Sequence, residues 1–272
     1  MESKLFTPVT FGPLTLRNRT IRSAAFESMC PGNAPSDMLL DYHRSVAAGG
    51  IGMTTVAYAA VTQSGLSFDR QLWMRPEIIP GLRRLTDAIH AEGAAAGIQL
   101  GHCGNMSHKS ICGCMPVGAS SGFNLYSPTF VRGLRADELP EMARAYGRSV
   151  NLAREAGFDS VEIHAGHGYF ISQFLSPSTN HRKDEFGGSL QNRMRFMDMV
   201  MEEVMKAAGS DYDCYGSYPV DGQFAFYHAY VLHLICKWLG ARYGLASVWP
   251  GDGSLVFCPG TRRKDVYMEY RS

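Results

Sequence analysis

The 272-residue sequence has no excess of either charge: 26 Lys and Arg stand against 25 Asp and Glu, for a formal net charge of +1. Electrostatic holding of nucleic acid or of an anionic membrane surface concentrates positive charge, so neither partner is expected. A bilayer-spanning run is also missing. The apolar stretch at residues 224–239 falls short of the roughly 20 residues that crossing requires, and His228, His233 and Lys237 interrupt it. A buried helix is expected there. The N-terminus, Met-Glu-Ser-Lys-Leu-Phe-Thr-Pro, has no apolar h-region, which argues against a secretory signal and for a cytoplasmic location. No C-x-x-C occurs, and seven cysteines without regular spacing do not make a disulfide framework. Cys103, Cys112 and Cys114 cluster near His102 and His108, but no second pair stands at a zinc-like distance, so no metal is expected.

What is present is a core-forming α/β chain. Apolar residues make up 45% of it, enough for one large domain. Over the first 210 residues, short apolar runs alternate with amphipathic stretches, the pattern of βα units and a parallel sheet. Strands are expected at 20–26, 53–60, 94–101 and 160–165, and helices at 37–48, 79–92, 138–156 and 192–208. Glycines follow three of those helices, where a left-handed residue can close the last turn. Residues 9–16 alternate around Gly12-Pro13, a hairpin signal.

The chemistry is concentrated just after the fourth strand. His164-Ala-Gly-His167-Gly-Tyr169 places two imidazoles and a phenol within six residues. Residues three apart on a strand face opposite ways, so His164 and His167 can converge only if the strand ends between them, and Gly166 and Gly168 supply that break. Two imidazole N–H groups aimed at one carbonyl oxygen would stabilise the negative charge that develops there during conjugate addition. Tyr169, neutral at pH 7, would deliver the balancing proton.

This block, with Asn180, Arg182, Asp184, Phe186, Gly187, Gly188, Ser189, Asn192, Arg193, Arg195 and Phe196 after it, resembles the old yellow enzyme family of FMN-dependent ene-reductases. The resemblance is to the branch containing the barrel domains of 2,4-dienoyl-CoA reductase and trimethylamine dehydrogenase. Within that second string only the family's tyrosine is changed, to Phe186. The resemblance implies a (β/α)8 TIM barrel, FMN as cofactor, NADH or NADPH as reductant, and a small α,β-unsaturated carbonyl compound as substrate. It assigns His164 and His167 to the substrate carbonyl and Tyr169 to protonation of the α-carbon. Gln99, whose amide both donates and accepts, matches the residue that meets the flavin's pyrimidine edge. Ser23, Ala24, Ala25, Phe26 and Ala60 match flavin-contacting positions. Some relatives carry a cysteine or threonine where Phe26 stands, so covalent flavin attachment at that position is excluded.

From about residue 210 the resemblance fails. Eight of the 13 tyrosines fall after that point, and residues 251–272 show no clear period and are expected to be disordered. The chain therefore reads as 1–210, the N-terminal part of a barrel with about four βα units, followed by a divergent segment, 211–272. Neither the family's phosphate-holding glycine-rich segments nor its cation beside the pyrimidine ring can be located there. Half a barrel leaves open strand edges, so self-association is expected. Two other readings stand beside the ene-reductase: a non-catalytic remnant with impaired FMN binding, and an interaction module that uses the aromatic tail.

Overall fold

The computed structural model describes residues 4–11, 13–209 and 213–217. The chain enters through an antiparallel hairpin of β1 (Val9–Phe11) and β2 (Leu14–Leu16), with Val9 opposite Leu16. The βα alternation follows: β3 (Ile21–Arg22), α1 (Asp37–Ala48), β4 (Met53–Ala60), α2 (Ile79–Ala91) and β5 (Ala95–Gly101). A short helix α3 (Lys109–Cys112) then leads into a small sheet of β6 (Val117–Gly118), β7 (Gly122–Asn124) and β8 (Thr129–Gly133). The alternation resumes with α4 (Leu139–Glu155), β9 (Ser160–His164), α5 (Phe170–Leu175), α6 (Leu190–Ala208) and β10 (Asp213–Ser217). The main sheet runs β3-β4-β5-β9-β10, and each of its pairings is parallel. Strand order follows chain order, as in a (β/α)8 barrel, and among the described residues the barrel is not closed.

Local signals explain the helix limits. The Ser36 hydroxyl accepts from the Leu39 N–H to cap α1, and Ser189 does the same for Asn192 at α6. Gly93 and Gly157 follow α2 and α4 at φ of +75° and +84°, a conformation nearly closed to side-chain-bearing residues. Among the described residues, no helix is long and apolar enough to cross a membrane.

The sheet separates chemistry from packing. Val56, Ile98, Leu100, Val161 and Ile163 join the main core with Leu82, Leu85 and Ile89 of α2, Val150 of α4 and Val200 of α6. Each such side chain contributes roughly 1.5–3 kcal/mol by leaving water. The alternate positions Gln99, Glu162 and His164 point the other way, into what would be the interior of the barrel. Period-two alternation thus packs the strands against their helices and leaves a polar row inside.

Three features depart from the sequence expectation. The first strand was expected over 20–26 but pairs only at Ile21 and Arg22. Beyond it, side chains replace the ladder: Arg22 Nη1 donates to the Thr55 carbonyl at 2.5 Å, and the Glu27 carboxylate accepts from the Ala57 N–H at 3.2 Å. Arg22 and Glu27 pair at 2.7 Å, and His43 approaches Glu27 at 3.2 Å. Residues 23–30 are thereby held as an irregular segment over the end of β4. Second, β10 forms a fifth parallel strand, Ser217 opposite His164, where the sequence reading saw no strand. Third, the β6–β8 sheet was not anticipated. The helix expected at 224–239 and the disorder expected at 251–272 lie outside the described residues.

Candidate active site

His164 ends β9, and the chain reverses within the next five residues. His167 and Gly168 both take left-handed conformations, φ +54° and +66°, so the break lies at these two positions. Gln173, buried on α5, pins the turn: its amide donates to the carbonyls of Gly168 at 2.7 Å and Cys103 at 3.0 Å. This brings His164, His167 and Tyr169 together. His164 and Tyr169 stack with ring centroids 4.8 Å apart at 29°, and the two histidine rings lie 5.0 Å apart.

Burial, and then the neighbouring His167, hold the His164 imidazole down to about 3, so it is neutral. Its Nδ1 accepts from the Gly166 N–H at 3.2 Å, which leaves the proton on Nε2. Nε2 stands 3.0 Å from His167 Nδ1 and donates to it. The two imidazoles, whose N–H groups are expected to serve one ligand oxygen, are thus neighbours joined by a hydrogen bond. Burial pushes the Tyr169 phenol above the usual range, with hydrogen bonding to Ser67 and Tyr58 acting the other way. It stays protonated at neutral pH.

The structure adds residues that the sequence reading missed. Tyr58 on β4 lies 5.5 Å from Tyr169 and 5.6 Å from His164, ring to ring, and its one hydroxyl proton is shared between the Gly65 carbonyl at 3.1 Å and Ser67 Oγ at 3.0 Å. Gln71 fixes Ser67 by accepting from its N–H and hydroxyl, at 2.9 and 3.0 Å. A lone aromatic among alanines at a strand's carboxyl end is a usable signal for Tyr58; Ser67 and Gln71 carry none, because their loop reaches the site only through the fold. Gly101 explains how the rings approach, since a Cβ there would stand 3.0 Å from His164 Cβ and from Tyr58 Cδ2.

Of the positions matched to flavin contacts, Ala24 packs against Ala57, Tyr58 and Cys103, the cluster that Tyr169 also packs against. Ser23 and Ala25 are exposed beside it. Phe26 is also exposed and stacks on Phe68 at 4.6 Å. Gln99 Nε2 donates to Glu162 Oε1 at 2.7 Å, which makes Glu162 a further buried polar group on this face. Ala60 is not brought to this surface: it is fully buried against Leu66 and Cys112, with its N–H bonded to Leu72 and its carbonyl to Met74. The remaining set of small residues, an amide and a carboxylate suits the flat, donor- and acceptor-edged ring of a flavin. That fit is to the ring system.

The string at 180–196 is a structural clasp. Asn180 Nδ2 donates to the carbonyls of Phe174 and Phe186 at 2.7 and 2.8 Å. Arg182 pairs with Asp184 and donates to the carbonyls of Ala119 and Leu134, with its guanidinium over the rings of Phe174 and Phe186. Arg193 donates to Leu175 and Gly188. The string locks α5, and so the histidine–tyrosine turn, to α6; Phe186 keeps the ring that this packing uses.

A model of the NADH:flavin oxidoreductase / NADH oxidase family matches residues 4–218. The chain is 39% identical over 251 residues to 4,4'-dithiodibutanoate disulfide reductase of Rhodococcus erythropolis, covering 92% of this chain and 60% of that protein. It is 36% identical over 209 residues to the NADPH dehydrogenase of Bacillus subtilis, covering 75% of this chain and 60% of the relative. Among solved structures it resembles an old yellow enzyme homologue from Zymomonas mobilis, with a TM-score of 0.72 and 29% identity over 78% of this chain and 62% of that one. The chain thus spans about 60% of the length of these curated relatives. The Rhodococcus match takes in more residues than the 210 that the sequence pattern marks.

Proposed function

This chain belongs to the NADH:flavin oxidoreductase / NADH oxidase family, that of the old yellow enzymes, and we propose that it carries out the ene-reductase half of that chemistry on a small α,β-unsaturated carbonyl compound. FMN is the family's cofactor and NADH or NADPH its reductant. When bound, FMN supplies hydride. The observation that carries the reading is the packing of His164, His167 and Tyr169 into one group on the polar face of the sheet.

The division of labour follows from protonation. Neutral His164 and the adjoining His167 offer N–H groups to the carbonyl oxygen, and a donor placed where negative charge develops lowers the barrier more than one that binds the ground state. On substrate entry the His164 Nε2–H turns from His167 to that oxygen. Tyr169, kept protonated by burial, gives its proton to the α-carbon. Gln99, with Glu162 behind it, and the segment Ser23–Ala24–Ala25–Phe26 would hold the flavin ring. The aromatic Phe26–Phe68 pair would line the edge of the substrate space.

The test is NADPH-dependent reduction of cyclohex-2-enone by the chain saturated with FMN, followed by consumption of the enone. Turnover that disappears in Tyr169→Phe supports the proposal. NADPH oxidation that never consumes the enone, in the presence of bound flavin, overturns it.

A further inference from the structure

Away from the histidines and Tyr169, the sulfur atoms of Cys112 and Cys114 lie 3.7 Å apart. Gly113 between them takes φ +72° and closes α3, so the chain turns sharply enough for two cysteines only two residues apart to face each other. Their surroundings differ. Cys112 is buried against Ala60 and Leu66, whereas Cys114 is exposed. The hydrogen bonds have a direction: the Cys114 thiol donates to Cys112 Sγ, and the Cys112 thiol donates to the Cys114 carbonyl at 3.2 Å.

We infer that Cys112 and Cys114 form a redox-active dithiol that reduces small organic disulfides by thiol–disulfide exchange. Cys114, the accessible sulfur, loses its proton to solvent and attacks one sulfur of the organic disulfide. That S–S bond breaks, a mixed disulfide forms on Cys114, and the first thiolate leaves and is protonated. Cys112, deprotonated in turn, attacks Cys114 Sγ and expels the second thiolate, closing a Cys112–Cys114 disulfide. Two protein thiols give up two electrons and two protons, and the organic disulfide receives them, so the step needs no other oxidant. The sulfurs must close to about 2.05 Å, a change that side-chain rotation around a flexible Gly113 can supply. A disulfide spanning so few residues is strained, which favours an exchanging role over a structural one.

Cys30 and Cys103 lack this arrangement. Cys30 and Cys103 are both buried, and burial pushes each thiol up to about 12. Cys114 is itself raised to about 11, by burial and then by its bond to Cys112, so its reactive form is scarce at neutral pH. Exchange should therefore accelerate roughly tenfold per pH unit through the alkaline range, with a strongly basic and intrinsically potent nucleophile. The site stands independently of the role proposed for Tyr169.

The test treats the full chain, reduced and desalted, with bis(2-hydroxyethyl) disulfide and caps the remaining thiols with N-ethylmaleimide. The tryptic peptide from Ser110 to Arg132 contains both cysteines and should lose two hydrogens and take no cap, with two thiols released per chain. Cys112→Ser should stop at the mixed disulfide on Cys114 and release one thiol, half as much. Cys114→Ser should abolish modification of that peptide. A stable mixed disulfide on Cys114 in the unsubstituted chain, or faster reaction at Cys30 or Cys103, would overturn the inference.

Discussion

The Tyr169 ring lies nearly parallel to the His164 imidazole, 4.8 Å away and tilted by 29°. The side chain that would supply a proton and the one that would polarise a carbonyl are thus held as one packed unit, although they come from a strand end and a helix start.

If Tyr169 is the proton donor, Tyr169→Phe keeps this stack and removes only the hydroxyl. Reduction of bound FMN by NAD(P)H should proceed almost normally, while enone reduction slows by about 10²–10⁴-fold, the scale for a lost general acid. Stopped-flow measurement of each half-reaction separates the two. An equal loss in both would remove Tyr169 from the role.

The histidine pair should act through hydrogen bonds to the ligand oxygen. His164→Ala and His167→Ala are each expected to weaken binding of a para-substituted phenol to the FMN-loaded chain by roughly 1.5–3 kcal/mol. The readout is the long-wavelength charge-transfer absorbance. Unchanged affinity in both variants contradicts the assignment.

Stability should fall in mild acid. Burial holds both His102 and His164 down to about 3 in the folded chain, while an unfolded histidine titrates near 6.5. Between those values the unfolded state binds more protons, so stability is lost as pH drops below about 6.5, at up to about 1.4 kcal/mol per pH unit for each group. His90 has the opposite sign: its hydrogen bond to Asp159 raises its pKa, so its contribution is complete below about 6.5 and is lost as pH rises through the raised value. Urea denaturation at a series of pH values between 5 and 6.5 reads the slope before most carboxylates titrate. A flat profile there, or a slope unchanged in His102→Asn, rejects the account.

Gly187 tests the clasp. A Cβ at this position would stand 2.3 Å from the Arg182 carbonyl oxygen, which is backbone and cannot rotate away. Gly187→Ala should cost about 2–4 kcal/mol, within the range of overpacking at a fixed site. The fall in urea midpoint measures it, and a change below about 0.5 kcal/mol would show the clasp to be dispensable.

FMN should be held mainly by its ring. The proposed contacts at Ser23, Ala24 and Gln99 would meet the ring system, and the sequence after residue 210 offers no recognisable phosphate-binding segment. Protein purified without added FMN should be largely colourless, and riboflavin should bind about as tightly as FMN in a fluorescence titration. FMN binding tenfold or more tighter would assign a phosphate site to residues outside those described.

Periodicity and local chemistry were enough for the parts of the molecule in which one neighbour in sequence decides the outcome. Strands β4, β5 and β9, helices α1, α2, α4 and α6 and the β1–β2 hairpin follow from alternation, caps and glycine stops; the histidine–tyrosine turn is legible from its six residues as a break after His164, though the structure sets it at His167 and Gly168 rather than at Gly166, with Gln173 pinning it. What depends on partners far along the chain was not legible. The strand expected at 20–26 stops after Arg22 because Arg22 and Glu27 side chains take over the bonds to Thr55 and Ala57, 30 or more residues away. Ser67 and Gln71 carry no motif, and join the site because their loop folds against Tyr58. Strand β10 lies in a segment of altered composition, and pairing with β9 makes it a strand. Ala60 looks like any small residue at a strand end, and only the fold shows that Leu66 and Cys112 bury it. Patterns within a few residues fix which way a side chain faces along its own element, but which distant groups meet it is decided by the closing of the sheet.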